Sequence, residues 1–357
     1  MKLFIPGPTE VSPEILQEMA RPAIGHRTAE CADLWKTARA GLGRLMQTNN
    51  EVLILTAPAS AMMEGAIRNT VQTRSLHLIN GAFSKRWFEI AQSCGVEAIP
   101  IIKPMGEGFS ANDLRAALSE HGPVDAVTVV HNETSTGVMN PVQDYRAVLA
   151  DFPSTLLLVD TVSSMAGAPV YVDDWGIDVC LFGVQKCMAL PAGIAIASVS
   201  DAALQRAQKI KYRGWFLDFL RLQKANLKEQ SPTTPSTAHL YALVRQLERI
   251  EEEGLENRWA RHEEMAQFIR NWATEHGWNM FPSEELCSNT VSCIARGNGP
   301  DFVPALDALK EQGFLLSNGY GDLKGKTFRI GHMGEHSMKC MRKITDLMNE
   351  ALATCSA

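Results

Sequence analysis

No stretch of this 357-residue chain approaches the ~18 continuous apolar residues of a membrane-spanning helix. The start, Met1-Lys2-Leu3-Phe4-Ile5-Pro6-Gly7-Pro8, holds no sustained apolar region of the kind that heads a secreted protein. Both absences argue against a membrane partner and lead to an expected cytoplasmic location. Basic charge is not in excess either. The 34 lysines and arginines are dispersed and face 40 aspartates and glutamates, for a formal net charge of -6. That balance carries no electrostatic footprint for nucleic acid. The eight cysteines (Cys31, Cys94, Cys180, Cys187, Cys287, Cys293, Cys340 and Cys355) include no Cys-x-x-Cys pair. The nine histidines share no metal-ligand spacing with them. Free, mostly buried thiols and no bound metal are therefore expected. Internal repeats, low-complexity tracts and long linkers are also missing.

What is present is an ordinary globular composition, 45% hydrophobic and 21% charged, in a chain long enough for one large core and a smaller domain. Short β-rich runs occur at Val52–Thr56, Leu76–Asn80, Glu97–Ile102, Ala126–His131, Leu156–Asp160, Asp178–Phe182 and Gly193–Val199. Helical periodicity lies between most of them, as at Ala61–Val71 and Ser84–Ser93. This alternation predicts an α/β fold with a largely parallel sheet between helices, whose ligands sit at the carboxyl ends of the strands. After residue 236 the pattern changes. Helices are expected at Thr237–Glu253 and Leu255–Thr274, broken at Gly254. A smaller α+β region follows, with strands near Asn289–Ala295 and Phe328–Gly331 and helices near Val303–Gln312 and Ser337–Ala353.

Two of the apolar runs end in chemistry. Val179-Cys180-Leu181-Phe182 leads into Gly183-Val184-Gln185-Lys186, and Leu156-Leu157-Leu158-Val159 ends in Asp160. A lysine at the mouth of a buried sheet loses solvation, which lowers its pKa and suits it to Schiff-base formation with an aldehyde. A carboxylate at a neighbouring strand end suits a protonated pyridine nitrogen. Together they are the chemistry of pyridoxal phosphate. An ordinary surface lysine and a helix-capping aspartate are the alternatives for each residue taken alone.

The motifs taken together resemble a class V (fold type I) pyridoxal-phosphate aminotransferase, nearest the serine–pyruvate and alanine–glyoxylate branch. The likeness runs from Pro6-Gly7-Pro8-Thr9 to Phe328-Arg329-Ile330-Gly331. It implies a large domain over residues 15–255 with a mostly parallel seven-stranded sheet, and a small domain made of residues 1–14 and 256–357. Lys186 would hold pyridoxal 5'-phosphate and shuttle the substrate proton, with Gln185 before it. Asp160 would face the ring nitrogen, Phe83 would stack on the ring, and Thr134 would bond its phenolic oxygen. Ala57-Pro58-Ala59-Ser60 matches the phosphate loop, with Ala59, Ser60 and Ala61 offering backbone N–H groups at a helix start. It departs from the family's usual Gly-Ser-Gly-Thr, and Pro58 removes one N–H donor. Thr233 or Thr234 would reach the phosphate of a neighbouring subunit, which makes the implied partner a second copy of the chain, with sites at the dimer interface. Gly7, Arg27 and Arg329 would lie on the substrate side, Arg329 as a bidentate clamp for the α-carboxylate.

The implied reaction moves an amino group from a small amino acid, serine or alanine, to a 2-oxo acid, pyruvate or glyoxylate, in two half-reactions. Gly25-His26-Arg27-Thr28 leaves open a phosphoserine or aspartate donor with 2-oxoglutarate as acceptor. A cysteine-desulfurase-type lyase on the same fold would place histidines where Gln185 and Phe83 stand, and it needs a mobile cysteine that Cys287 and Cys293 do not resemble. A non-catalytic subunit of a redox complex is the remaining reading, invited by the altered phosphate loop.

Overall fold

The computed structural model describes residues 1–355. Seven strands form the large sheet: β1 (Glu51–Leu55), β2 (Arg74–Ile79), β3 (Glu97–Ile102), β4 (Ala126–Val130), β5 (Leu156–Asp160), β6 (Val179–Gly183) and β7 (Ala195–Val199), in the order β1-β7-β6-β5-β4-β2-β3. Six run parallel, and β7 runs against both of its neighbours. The reversal follows from the connection. Only residues 184–194 separate β6 from β7, too few for a crossover helix, so the chain turns back on itself. Lys186 sits on that turn.

Alternate residues of the strands feed two cores. Val127, Val129, Leu157, Val159, Cys180 and Phe182 pack on one side with Trp35, Leu42, Leu243 and Leu247. These last come from helices α1 (Ala29–Leu45) and, later in the chain, Thr237–Glu253. Leu158, Leu181, Ala197 and Leu53 pack on the other side with Met62, Ile67 and Trp87 from α2 (Ala59–Thr70) and α3 (Ala82–Ser93). Burial on both faces explains why the strands read as continuous apolar runs.

Helices α4 (Thr237–Glu253) and α5 (Leu255–Glu275) are separated at Gly254 with φ +82°, and α5 packs into a smaller C-terminal domain. Its sheet orders β8 (Asn279–Met280), β9 (Val291–Ala295), β10 (Ser317–Asn318) and β11 (Thr327–Gly331) as β8-β9-β11-β10, all antiparallel. Trp272, Trp278, Phe302 and Phe328 fill its separate core. The N-terminal arm is stitched to this domain: Lys2–Leu3 pairs with Phe314–Leu315, and the Gly331 N–H donates to Phe4 O at 2.7 Å. The arm then carries Gly7 and Thr9 back to the turn of Lys186. Among the described residues no helix is long and apolar enough to cross a membrane, and no group of three or more potential ligands could hold a metal.

Candidate active site

The carboxyl ends of β4, β5 and β6 lie side by side, since Val130 pairs with Asp160 and Asp160 with Leu181. The residues just beyond them meet in a cavity of about 200 Å³, walled by Ala59, Ser60, Phe83, Thr134, Asp160, Gln185 and Lys186 together with Pro58, Met63, Arg86, Asn132, Val162 and Ser163. Seven residues picked from the sequence thus converge from five separate stretches of chain.

Lys186 is 7% exposed. Its Nζ donates to Ser163 Oγ at 2.6 Å and to Thr134 Oγ1 at 2.8 Å. Burial pulls its pKa down to about 8, against an opposing pull from Asp160. Asp160 is 3% exposed, and burial raises its pKa to about 6, opposed by a 2.7 Å hydrogen bond from the Val162 N–H to Oδ1 and by the charge of Lys186. Both groups are thus pushed toward neutrality, and each holds the other's charge in part. Gly7 lies against the lysine stem: a Cβ built there would stand 2.9 Å from Lys186 Cγ, at a φ of +112° that side chains avoid.

Phe83 is on the first turn of α3, with its ring centroid 5.1 Å from Lys186 Nζ and 4.9 Å from the Arg86 guanidinium carbon. That helix start is held by Glu133, which is fully buried. Its carboxylate accepts from the Phe83 N–H at 3.1 Å, the Ser84 N–H at 2.9 Å and Ser135 Oγ at 2.6 Å. A negative charge on helix N–H groups is a stable arrangement.

The loop expected to take the phosphate differs in where its helix starts. Helix α2 begins at Ala59, two residues earlier than the sequence suggested, and Pro58 is its N-cap with φ −70°. Proline there precedes the first helical amide, so its missing N–H leaves the helix start intact. Ala59 and Ser60 present the first two amides, which have no acceptor within a helix. Ala61 is corrected: its N–H is turned back to Pro58 O at 2.9 Å, and it is not part of the cavity wall.

Arg329, on β11, is 7% exposed and reaches toward the site from the small domain. It donates to Thr134 O at 3.1 Å and Asn318 O at 3.2 Å, while its buried Nε has no partner. Arg27 does not join this cavity. Its guanidinium donates to Gln230 Oε1 at 2.9 Å and Ser231 O at 2.8 Å, holding the segment that leads into Thr233 and Thr234. Neither threonine lines the cavity of its own chain, and Thr234 is exposed. Sequence reasoning missed Ser163 and Arg86. Ser163 follows Asp160 by three residues, which is a signal only once the strand end is placed. Arg86 follows Phe83 by three, one helical turn along the same face.

The donor set suits pyridoxal phosphate: a buried amine whose pKa is lowered to about 8, a carboxylate with one oxygen left open to the cavity, an aromatic wall and two free amides at a helix start. The sequence profile described as Aminotransferase class-V matches residues 8–293. An uncharacterized aminotransferase of Methanocaldococcus jannaschii is 37% identical over 93% of this chain and 87% of its own length. A soluble hydrogenase small subunit of Synechococcus sp. is 33% identical over 93% and 88%. The crystal structure of an alanine–glyoxylate aminotransferase from Nostoc sp. superposes with a TM-score of 0.93, at 30% identity, over 98% of this chain and 94% of that one. The chain belongs to the class V aminotransferases, pyridoxal-phosphate-dependent transaminases of fold type I.

Proposed function

We propose that this transaminase moves the amino group of a small amino acid, serine or alanine, to glyoxylate or pyruvate in two successive half-reactions. The observation that carries the proposal is Lys186, buried, with a lowered pKa, held by Ser163 and Thr134 and facing Asp160. Pyridoxal phosphate, when bound, supplies the carbonyl that takes up the amino group and the ring that delocalises the electrons left at the α-carbon. Lys186 would hold the cofactor through Nζ, and its amine would carry the proton to and from the α-carbon of the amino donor. Asp160 would oppose the ring nitrogen, Phe83 would cover one ring face, and Thr134 would bond the phenolic oxygen. The Ala59 and Ser60 amides would hold the phosphate, with Gln185 in the cavity wall. Gly7 leaves room for the lysine stem, and Arg329 binds the α-carboxylate. The similarity to the alanine–glyoxylate enzyme from Nostoc sp. supports the small donor and the glyoxylate acceptor.

We further infer a homodimer in which Thr233 or Thr234 reaches the phosphate of the second copy, with residues 15–255 as the large domain and residues 1–14 with 256–357 as the small one. Support comes from Arg27, which bonds Gln230 and Ser231 just ahead of two threonines that do not line their own chain's cavity. An acidic donor such as aspartate or phosphoserine is favoured by one observation. Arg86 lines the cavity with no hydrogen-bond or ion-pair partner among the described residues. The hydrogenase name belongs to the Synechococcus relative, and a purely binding role here would need neither a buried lysine nor the carboxylate facing it.

The visible spectrum of the purified protein tests these readings, with serine, alanine, aspartate and phosphoserine added one at a time. Bleaching of a yellow band to the amine form by serine or alanine is expected. Bleaching by the acidic donors alone would favour the Arg86 reading, and failure to take up pyridoxal phosphate would favour a non-catalytic subunit.

A further inference from the structure

Three successive peptide carbonyls around Lys186 are each held by a donor from a distant part of the chain. The Thr9 N–H donates to Gln185 O at 3.0 Å, Thr9 Oγ1 to Lys186 O at 2.9 Å, and Arg258 Nη2 to Cys187 O at 2.8 Å. The turn needs such restraint. Ala189, whose N–H closes it on Lys186 O at 2.8 Å, has φ +50°, a left-handed conformation that a Cβ disfavours and that persists only when its surroundings over-determine it.

Arg258 is 1% exposed and is itself fixed in place. Nη1 donates to Glu253 at 2.7 Å and Nη2 to Glu335 at 3.0 Å. Glu335 also accepts from Arg249 and Gln246, each at 2.9 Å, and Glu253 accepts from Arg261 at 2.6 Å. Arg261 in turn donates to Gly334 O at 3.2 Å, and a Cβ built on Gly334 would stand 3.0 Å from Ala189 Cβ. The network therefore meets the lysine turn twice, once by a hydrogen bond and once by close packing. Buried ion pairs are an inefficient source of stability, because desolvation consumes most of the Coulombic gain. An apolar side chain would fill the same space, but it would not donate to Cys187 O.

We propose that Arg258, oriented by Glu253 and Glu335, is a positioning residue for Lys186. It fixes the backbone of the turn so that Nζ, after leaving the cofactor to carry a proton, returns to one place. This rests on the role given to Lys186 above. An error of about 1 Å in such a group costs on the order of 100-fold in rate.

The test compares Arg258→Lys and Glu335→Gln with Arg206→Lys. A lysine at 258 keeps the charge but loses the fork that reaches Glu253, Glu335 and Cys187 O together. Arg206 is a half-buried arginine bonded to Asp125, Thr70 O and Ser154 O at the amino ends of the strands, the opposite rim of the sheet. In Arg258→Lys and Glu335→Gln, kcat should fall roughly 10- to 100-fold with the donor KM within about 2-fold. The pH midpoint of the bound cofactor's absorbance should move, and deuterium exchange at the Ala189 and Leu190 amides should quicken in the cofactor-free protein. Arg206→Lys should lower Tm alone. Unchanged kcat and pH midpoint in both network variants, with Tm lowered as in the control, would overturn the proposal. If Arg258→Lys does not fold, Glu335→Gln decides by the same readouts. Wild-type protein that never takes up pyridoxal phosphate would instead remove the role of Lys186. Exchange at Ala189 and Leu190 would then still report whether Arg258 holds the turn.

Discussion

Lys186 Nζ donates to Ser163 Oγ at 2.6 Å, so the serine three residues beyond the buried aspartate is an acceptor for the lysine on the neighbouring strand end. A hydroxyl that accepts from the ammonium favours the charged form. Ser163→Ala should therefore move the Lys186 pKa below its present value of about 8. The pH dependence of cofactor uptake by the cofactor-free protein measures this, and a midpoint that stays or rises counts against the assignment.

Lys186→Met should abolish turnover, by at least about 100- to 10,000-fold, while leaving the fold intact. The stability effect has a definite sign. Below pH 8 the folded cofactor-free protein carries a buried charge that the unfolded chain keeps in water. Between about 8 and the ordinary 10.5 the folded state has lost that proton and the unfolded state has not, so wild-type stability rises with pH. The Met variant should be the more stable protein at pH 7, and its advantage should fade across that window in denaturant titrations.

Asp160→Asn follows the opposite course. The wild-type carboxyl titrates near 6 in the folded state against an ordinary 3.8. Between these values the unfolded chain releases its proton first, so wild-type stability falls as pH rises. In cofactor-free protein the difference in Tm, variant minus wild type, should grow from pH 4 to pH 6 and then level off. With the opposing charge gone, the variant should also release pyridoxal phosphate more readily on dialysis.

Gly7→Ala places a methyl 2.9 Å from Lys186 Cγ at a φ of +112°. A strained backbone of this kind costs about 1–3 kcal/mol. Cofactor uptake should slow and Tm should drop, and a variant indistinguishable from wild type in both would show that the arm yields.

Arg329→Lys exchanges a planar fork for a point charge and should raise the amino-donor KM roughly 10- to 100-fold, the equivalent of about 1.5–3 kcal/mol. Arg27→Ala should act differently. Because Arg27 holds Gln230 and Ser231, its loss should weaken dimerisation and cofactor retention and leave the ranking of donors unchanged. A loss confined to acidic donors would return Arg27 to the substrate pocket.

Strand ends were the legible part of the site. Leu156–Asp160 and Glu97–Ile102 have the boundaries read from the sequence, and Asp160 and Lys186 are conspicuous because each ends or follows a run with no other polar group. The helix after Ala57 begins two residues earlier than its sequence suggests, because Pro58 stands at the N-cap, where no donor is required. Charge and local motif point Arg27 toward the substrate. Its partners are about 200 positions away, and local sequence does not reveal them. Glu133 was visible only as one polar residue among several after β4, and nothing local marks it as the buried carboxylate that caps the helix of Phe83.

The alternation of apolar runs with helical stretches determined the α/β class, and the residues that end those runs determined the chemistry, because both are properties of consecutive positions. The order of the strands was decided only in three dimensions. It is that order, with β5 between β4 and β6, that carries Thr134, Ser163 and Lys186 to within hydrogen-bonding distance. The electrostatics were decided there as well. A lysine titrating near 8 and an aspartate near 6 reflect burial, which distant parts of the chain create together, Gly7 of the N-terminal arm lying against the Lys186 stem and Arg329 reaching Thr134 O.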